Sequence, residues 1–183
     1  METLATVPFW FLRHGETDWN AQNLSQGNID IPLNPTGLAQ ARIAAGRLKH
    51  RGIATIVASP LSRAADTARI VAESLRLEFS QDDGLREVSF GVQEGKPMSD
   101  WFAQWVKGCS TPEGAESFEA LKRRAVGAIN RALALPAPVL VVAHGALFRA
   151  LRGAMGLEPN VRTPNATPFW CIPGQPWSLT EAD

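Results

Sequence analysis

The sequence predicts an α/β domain: a three-layer sandwich in which a mainly parallel central sheet carries helices on both faces. Two observations lead there. Short continuous apolar runs such as "VPFWFL" and "PVLVVA" suit strands buried on both sides rather than strands with one wet face. Between them lie longer segments whose apolar residues recur at helical spacing. Strands that alternate with helices pair in parallel through crossover connections.

The first strand is predicted over Val7 to Leu12. "NPTGLAQARIAAGRLKHRG" follows as a helix, with Thr36 as N-cap, Leu38, Ala41, Ala45 and Leu48 at helical spacing, and Gly52 as its stop. "IATIVAS", Ile53 to Ser59, is a second buried strand. "SRAADTARIVAESL" is the next helix, turning Ala64, Ala68, Val71 and Leu75 inward. Leu77 to Ser80 is a short third strand, and Leu85 to Gly114 reads as irregular. Within that stretch Met98, Trp101, Phe102 and Trp105 form one face of a short helix, expected to cap the sheet edge. "SFEALKRRAVGAINRALAL" is a long amphipathic helix with a stripe of Phe118, Leu121, Ala125, Ile129 and Leu133. Pro138 to Ala143 is a fourth buried strand, and "ALFRALRGAMG" a helix ending at Gly156. "TPFWCIP" reads as an edge strand because of its prolines. One domain over residues 1–183, with a cap-like insert at about 92–116, accounts for the pattern.

Composition narrows the function. Lysine plus arginine and aspartate plus glutamate number 18 each in 183 residues, so the formal net charge is zero. A broad nucleic-acid surface needs clustered basic charge and is not expected. No apolar run approaches the roughly 18 residues of a membrane span, and no signal peptide is visible, so a cytoplasmic protein with no membrane partner is expected. Cys109 and Cys171 stand far apart and are read as reduced thiols within the packing. A homodimer is compatible with the sequence.

In open α/β sheets, ligands gather at the carboxyl ends of the strands. Three predicted strands end alike: the first in Arg13 and His14, the second in "SPLSR" with Arg63, the fourth in "AHG" with His144. Parallel pairing brings these ends together. Guanidinium forks suit phosphate oxygens, so the expected guest is a phosphate. The amides at the start of the helix bearing Arg63 are expected to assist.

The ordered motifs "LRHGETDWN", "QGNIDIPLNPTGLAQA", "ASPLSRAADTA", "LREVSFGVQEG", "GAES" and "VVAHG" resemble the histidine phosphatase superfamily, in its phosphoglycerate-mutase-like branch. The resemblance implies that fold, and a role for each matching residue. His14 would be the nucleophile and form a phosphohistidine. Arg13, Arg63 and His144 would hold the phosphoryl oxygens. Asn20 would add a polar contact, Gln26 and Gly27 would line the site, and Glu87 would be the proton donor. Glu16 and Asp18 are read as loop stabilisers.

The chemistry agrees with those roles. Phosphoryl transfer asks mainly for positioning and charge stabilisation. Neighbouring arginines disfavour an imidazolium, which keeps His14 nucleophilic, and a backbone carbonyl would fix its tautomer. A protonated His144 would donate to an equatorial oxygen. The arginines would supply the charge that a divalent cation supplies elsewhere, so no metal and no other cofactor are expected. The expected activity is hydrolysis of a small phosphorylated metabolite. A cofactor-dependent phosphoglycerate mutase and a non-catalytic phosphate binder are the alternatives. Hydrolysis is preferred because the chain lacks the longer arginine-bearing insert of typical mutases, ends soon after Trp177, and has Phe90 but no tyrosine anywhere. Gln93 stands where the family pattern commonly has a large aromatic, a departure that bears on substrate preference rather than on the chemistry.

Overall fold

A computed structural model describes residues 2–183. In chain order it contains β1 (Phe9–Arg13), α1 (Asp18–Ala21), α2 (Pro35–Leu48), β2 (Thr55–Ala58), α3 (Ser62–Leu75), β3 (Ser80–Gln81), α4 (Asp100–Val106), α5 (Phe118–Leu133), β4 (Val139–Ala143), α6 (Gly145–Ala154), β5 (Pro168–Ile172) and β6 (Ser178–Glu181). The strands form one sheet in the order β3-β2-β4-β1-β5-β6. The four from β3 to β1 run parallel, whereas β5 is antiparallel to β1 and β6 antiparallel to β5. Among the described residues no helix is long and apolar enough to cross a membrane.

Strand side chains alternate between faces, and both faces are covered. Phe9, Phe11, Val57, Val139 and Val141 share a core with Leu121, Ile129, Leu147 and Leu151 of α5 and α6. Trp10, Leu12, Ile56, Leu140 and Val142 share the opposite core with Ala44 and Leu48 of α2 and Ala68 and Val71 of α3. This is why β1 and β4 read as unbroken apolar runs.

Four details depart from the expectations. The N-cap of α2 is Asn34, not Thr36: its side chain accepts from Gly37 N, and Pro35 occupies the first turn, where a missing N–H costs nothing. The third strand lies at Ser80–Gln81, just beyond most of the predicted Leu77–Ser80. The strand of "TPFWCIP" is internal, because β6, "SLTE", covers it and forms the edge. Pro168 is tolerated as the first residue of β5. Cys171 is buried, but Cys109 is exposed rather than packed.

Two glycines seat the loop that follows β1. A Cβ on Gly37 would lie 2.1 Å from the Glu16 carbonyl oxygen, and one on Gly15 would lie 2.4 Å from that of Gly37. The start of α2 and the loop after His14 therefore meet backbone to backbone. Asn34 reinforces the contact: its amide donates to the Glu16 side chain at 3.0 Å, the stabilising role expected of Glu16.

Candidate active site

Register brings the strand ends together. Arg13 and Ala143, the last residues of β1 and β4, are Cα partners. His14 N donates to the Ala143 carbonyl at 3.0 Å, and Ser59 N to that of Val142 at 2.9 Å. The two histidines that follow these strands sit with ring centroids 5.2 Å apart.

Both rings are buried. His14 Nδ1 lies 2.7 Å from the Gly15 carbonyl oxygen, so Nδ1 carries the proton and Nε2 keeps its lone pair. His144 Nε2 lies 2.7 Å from Ser59 Oγ, and its Nδ1 has no protein partner. Burial foremost, and then the Arg63 charge, hold both histidines well below the usual imidazole range. Both directions favour the neutral rings. A neutral ring that accepts from the Ser59 hydroxyl at Nε2 carries its proton on Nδ1, the open nitrogen.

This depression has a measurable consequence for stability. Above the ordinary histidine pKa of about 6.5, both states of the chain are neutral at these rings. Below it, the unfolded chain takes up protons that the folded protein refuses, so stability falls with falling pH. The loss reaches up to about 1.4 kcal/mol per pH unit for each ring, until the folded rings themselves protonate. Melting temperatures in phosphate-free buffer from pH 7.5 down to 5.5 should fall, with a shallower slope in His14→Ala. A flat profile in the unsubstituted protein would contradict the electrostatic account.

The arginines are held by backbone carbonyls. Arg13 Nη1 donates to Thr163 O at 2.7 Å. Arg63 donates to Ile29 O and Gly27 O, each at 2.8 Å. Burial lowers both guanidinium ions to about 10, against the opposing pull of Glu87, so both stay charged at neutral pH. Among the described residues five buried side-chain nitrogens lack a partner, and four of them belong to Arg13, Arg63, Arg149 and His144. Buried donors without acceptors are uncommon, and their convergence here marks a place for an anion. The start of α3 contributes less than expected, since Asp30 already accepts from Ser62 N at 2.7 Å.

Glu87 lies outside any regular element, yet it is tightly fixed. Its carboxylate accepts from Ala146 N at 2.9 Å and Leu147 N at 3.0 Å, at the start of α6. Arg124 of α5 holds the preceding chain by donating to the carbonyls of Gly84 at 2.9 Å and Arg86 at 2.7 Å. Arg124 is itself clamped by both carboxylate oxygens of Glu116. This clamp is what the "GAES" motif does in the fold.

Asn20 and Gln26 present their amides in a defined sense. Asn20 Oδ1 accepts from Thr17 N at 3.2 Å and from Asn165 Nδ2 at 3.3 Å. Gln26 Oε1 accepts from the Thr17 hydroxyl at 2.7 Å. Both oxygens are occupied, so the NH2 groups are the donors left for a ligand. Gly27 has φ +55°, and a Cβ there would lie 2.2 Å from Glu94 Oε1. A side chain at this position would disturb the carbonyl that orients Arg63.

A cleft of about 360 Å³ opens over this cluster, lined by Arg13, His14, Asn20, Gln26, Gly27, Arg63 and Glu87. His144 sits fully buried beneath it. Helix α4 supplies one wall through Phe102 and Ala103, with Phe90 beside them. Trp101 and Trp105 stay outside the lining and pack edge-on against Phe90. Gln93 is not among the lining residues either. Sequence reasoning missed Ser59, Arg124, Arg149, Asn160 and Arg162. Arg149 lies on α6, five residues after His144, a spacing that does not place it on the same helical face, and Arg162 and Asn160 lie in irregular chain that carries no periodic signal.

Comparison with known proteins agrees with this geometry. The family described as "Histidine phosphatase superfamily (branch 1)" matches residues 9–165. The chain belongs to the histidine phosphatase superfamily. Among curated members, it is 39% identical over 164 residues to the probable phosphoglycerate mutase GpmB of Yersinia pestis (strain Pestoides F), covering 82% of this chain and 76% of that protein. Among solved histidine phosphatase folds, it matches mycobacterial glucosyl-3-phosphoglycerate phosphatase, solved with VO3, at TM-score 0.83 and 28% identity over 94% of this chain and 96% of that one. It also matches phosphoserine phosphatase from Entamoeba histolytica, solved with 3-phosphoglyceric acid, at TM-score 0.80 and 25% identity over 96% of both chains.

Proposed function

We propose that this histidine phosphatase hydrolyses a phosphomonoester of a small metabolite through a phosphohistidine formed on His14. One observation carries the reading: a neutral imidazole, its Nδ1 anchored on Gly15 O, is buried against two charged guanidinium groups. That arrangement keeps Nε2 nucleophilic and gives a phosphoryl dianion a reason to sit in front of it.

The phosphoryl oxygens take hydrogen bonds from Arg13, Arg63, His144 Nδ1–H and the amides of Asn20 and Gln26. His14 Nε2 attacks phosphorus in line, the ester P–O bond breaks, and Glu87, entering as the carboxylic acid, protonates the leaving oxygen. The Nδ1–H···O=C bond to Gly15 disperses positive charge on the phosphorylated ring. Glu87, now the carboxylate, takes a proton from water, the water oxygen attacks phosphorus, and the N–P bond breaks to release inorganic phosphate. The arginines carry the charge stabilisation, so no divalent cation is required.

The relationship to a probable phosphoglycerate mutase favours a second reading, transfer back to a bound phosphoglycerate. Phe90 argues against it, for it packs among aromatic rings and offers no hydroxyl to the cleft. A panel of phosphomonoesters assayed with chelator and without added bisphosphate tests the choice. Release of inorganic phosphate is expected. Isomerisation of phosphoglycerate that starts only when bisphosphate is supplied would favour the mutase, and tight phosphate binding with neither activity would favour a binder.

A further inference from the structure

The cleft contains more positive charge than a single phosphoryl group calls for. Arg149, on α6, lines it, together with Arg162 and Asn160 from the segment that leads to β5. Among the described residues neither arginine side chain makes an ion pair, and no hydrogen bond to a protein acceptor is formed by either. Holding guanidinium groups together at a partly buried site is unfavourable unless an anion compensates. Burial foremost, and then neighbouring guanidinium charge that includes Arg162, disfavours the charged forms of both Arg13 and Arg149. Glu87 opposes this, but its oxygens are taken by the amides of Val88, Ala146 and Leu147.

The Arg149 side chain and the backbone that carries Arg162 are both held in place. The Arg149 guanidinium lies 4.7 Å from the centre of the Phe102 ring, a cation–π contact that fixes it against α4. Its Nε is buried and unpaired. Arg162 adjoins Thr163, whose carbonyl receives Arg13 Nη1, so the segment carrying it is tied to the phosphoryl site. Asn165, three residues on, donates to the His14 carbonyl at 3.0 Å.

We infer that Arg149 and Arg162 form a second anion subsite, so that the preferred substrate carries a carboxylate or second phosphate a few atoms from the phosphate that is removed. The inference rests on the reading that Arg13 and Arg63 hold the scissile phosphoryl group. It makes both arginines determinants of specificity rather than of the chemical step. Planar guanidinium forks match either anion.

The test compares substrates that differ only in the distal group. 3-Phosphoglycerate and glycerol 3-phosphate differ in a carboxylate against a hydroxymethyl group. Fructose 1,6-bisphosphate and fructose 6-phosphate differ in a second phosphate. Preference for the anionic member of either pair is expected at about 10–100-fold in kcat/KM, the range of a charge-assisted hydrogen bond. The first pair reports a carboxylate and the second a phosphate. Arg162→Gln, at an exposed position, and Arg149→Lys, which keeps a cation over Phe102, should each shrink that ratio. Dissociation constants for the same compounds, measured by calorimetry on His14→Ala with and without Arg162→Gln, give the ratio independently of turnover. An absent phosphatase activity with the binding preference intact would then count against hydrolysis and for the subsite. Equal affinity for both members of both pairs, or variants that weaken both members alike, would overturn the subsite.

Discussion

Replacing His14 by alanine is expected to lower kcat by on the order of 10⁴–10⁶-fold, the range seen when a covalent nucleophile is removed. The magnitude follows from the geometry. The imidazole lines the cleft with Nδ1 already tied to the Gly15 carbonyl, which leaves Nε2 as its nucleophilic nitrogen. Water could occupy the vacated space but would lack both the fixed orientation and the nucleophilicity. Arg13 and Arg63 are anchored through Thr163, Gly27 and Ile29 rather than through His14, so affinity for inorganic phosphate should survive. Brief exposure of the unsubstituted protein to a labelled substrate should trap an acid-labile, alkali-stable phosphoramidate, absent in the variant. Turnover retained in His14→Ala would exclude the imidazole as the attacking group.

The second large effect is expected at Glu87. Glu87→Gln should lower kcat about 10²–10⁴-fold for alkyl phosphates, the usual worth of general acid–base catalysis. Nitrophenolate leaves without a proton, so p-nitrophenyl phosphate should suffer far less in the phosphorylation step. The comparison is needed because Glu87 has a second task. Its carboxylate receives the first free amides of α6, and a glutamine NH2 turned toward them would set donor against donor. Some loss of melting temperature is therefore expected, and an absolute rate alone would mix the two effects. The ratio of the two substrates in one preparation removes the contribution of folding. Read in kcat/KM, which ends at phosphorylation and excludes the dephosphorylation common to both substrates, an equal fall for both would mean that Glu87 does not protonate the leaving oxygen.

Much of this site was legible in the sequence because its key residues follow strands. A buried strand announces itself by an unbroken apolar run, and parallel pairing then fixes which end of each strand meets the others. That reasoning reached Arg13, His14, Arg63 and His144 without coordinates. Glu87 came only from motif resemblance, since its position depends on the Arg124 clamp from a helix 37 residues away. Arg162 and Asn160 were illegible, because irregular chain has no periodicity that says which way a side chain points. The missed β6 has a related cause. "SLTE" is short, polar and largely exposed, and only pairing with β5 makes it a strand. The complete burial of His144 was likewise not legible from its sequence neighbours.

The position of β4 has a consequence for how the protein comes into being. This strand lies between β2 and β1, although it is encoded well after both. A nascent chain that has emerged only as far as α5 holds two strands with a gap between them where their mutual neighbour belongs. Long-range pairing of this kind closes slowly, and the exposed edges invite misassociation in the interval. His144 reaches its place only when β4 fills that gap, and Thr163, whose carbonyl holds Arg13, follows later still.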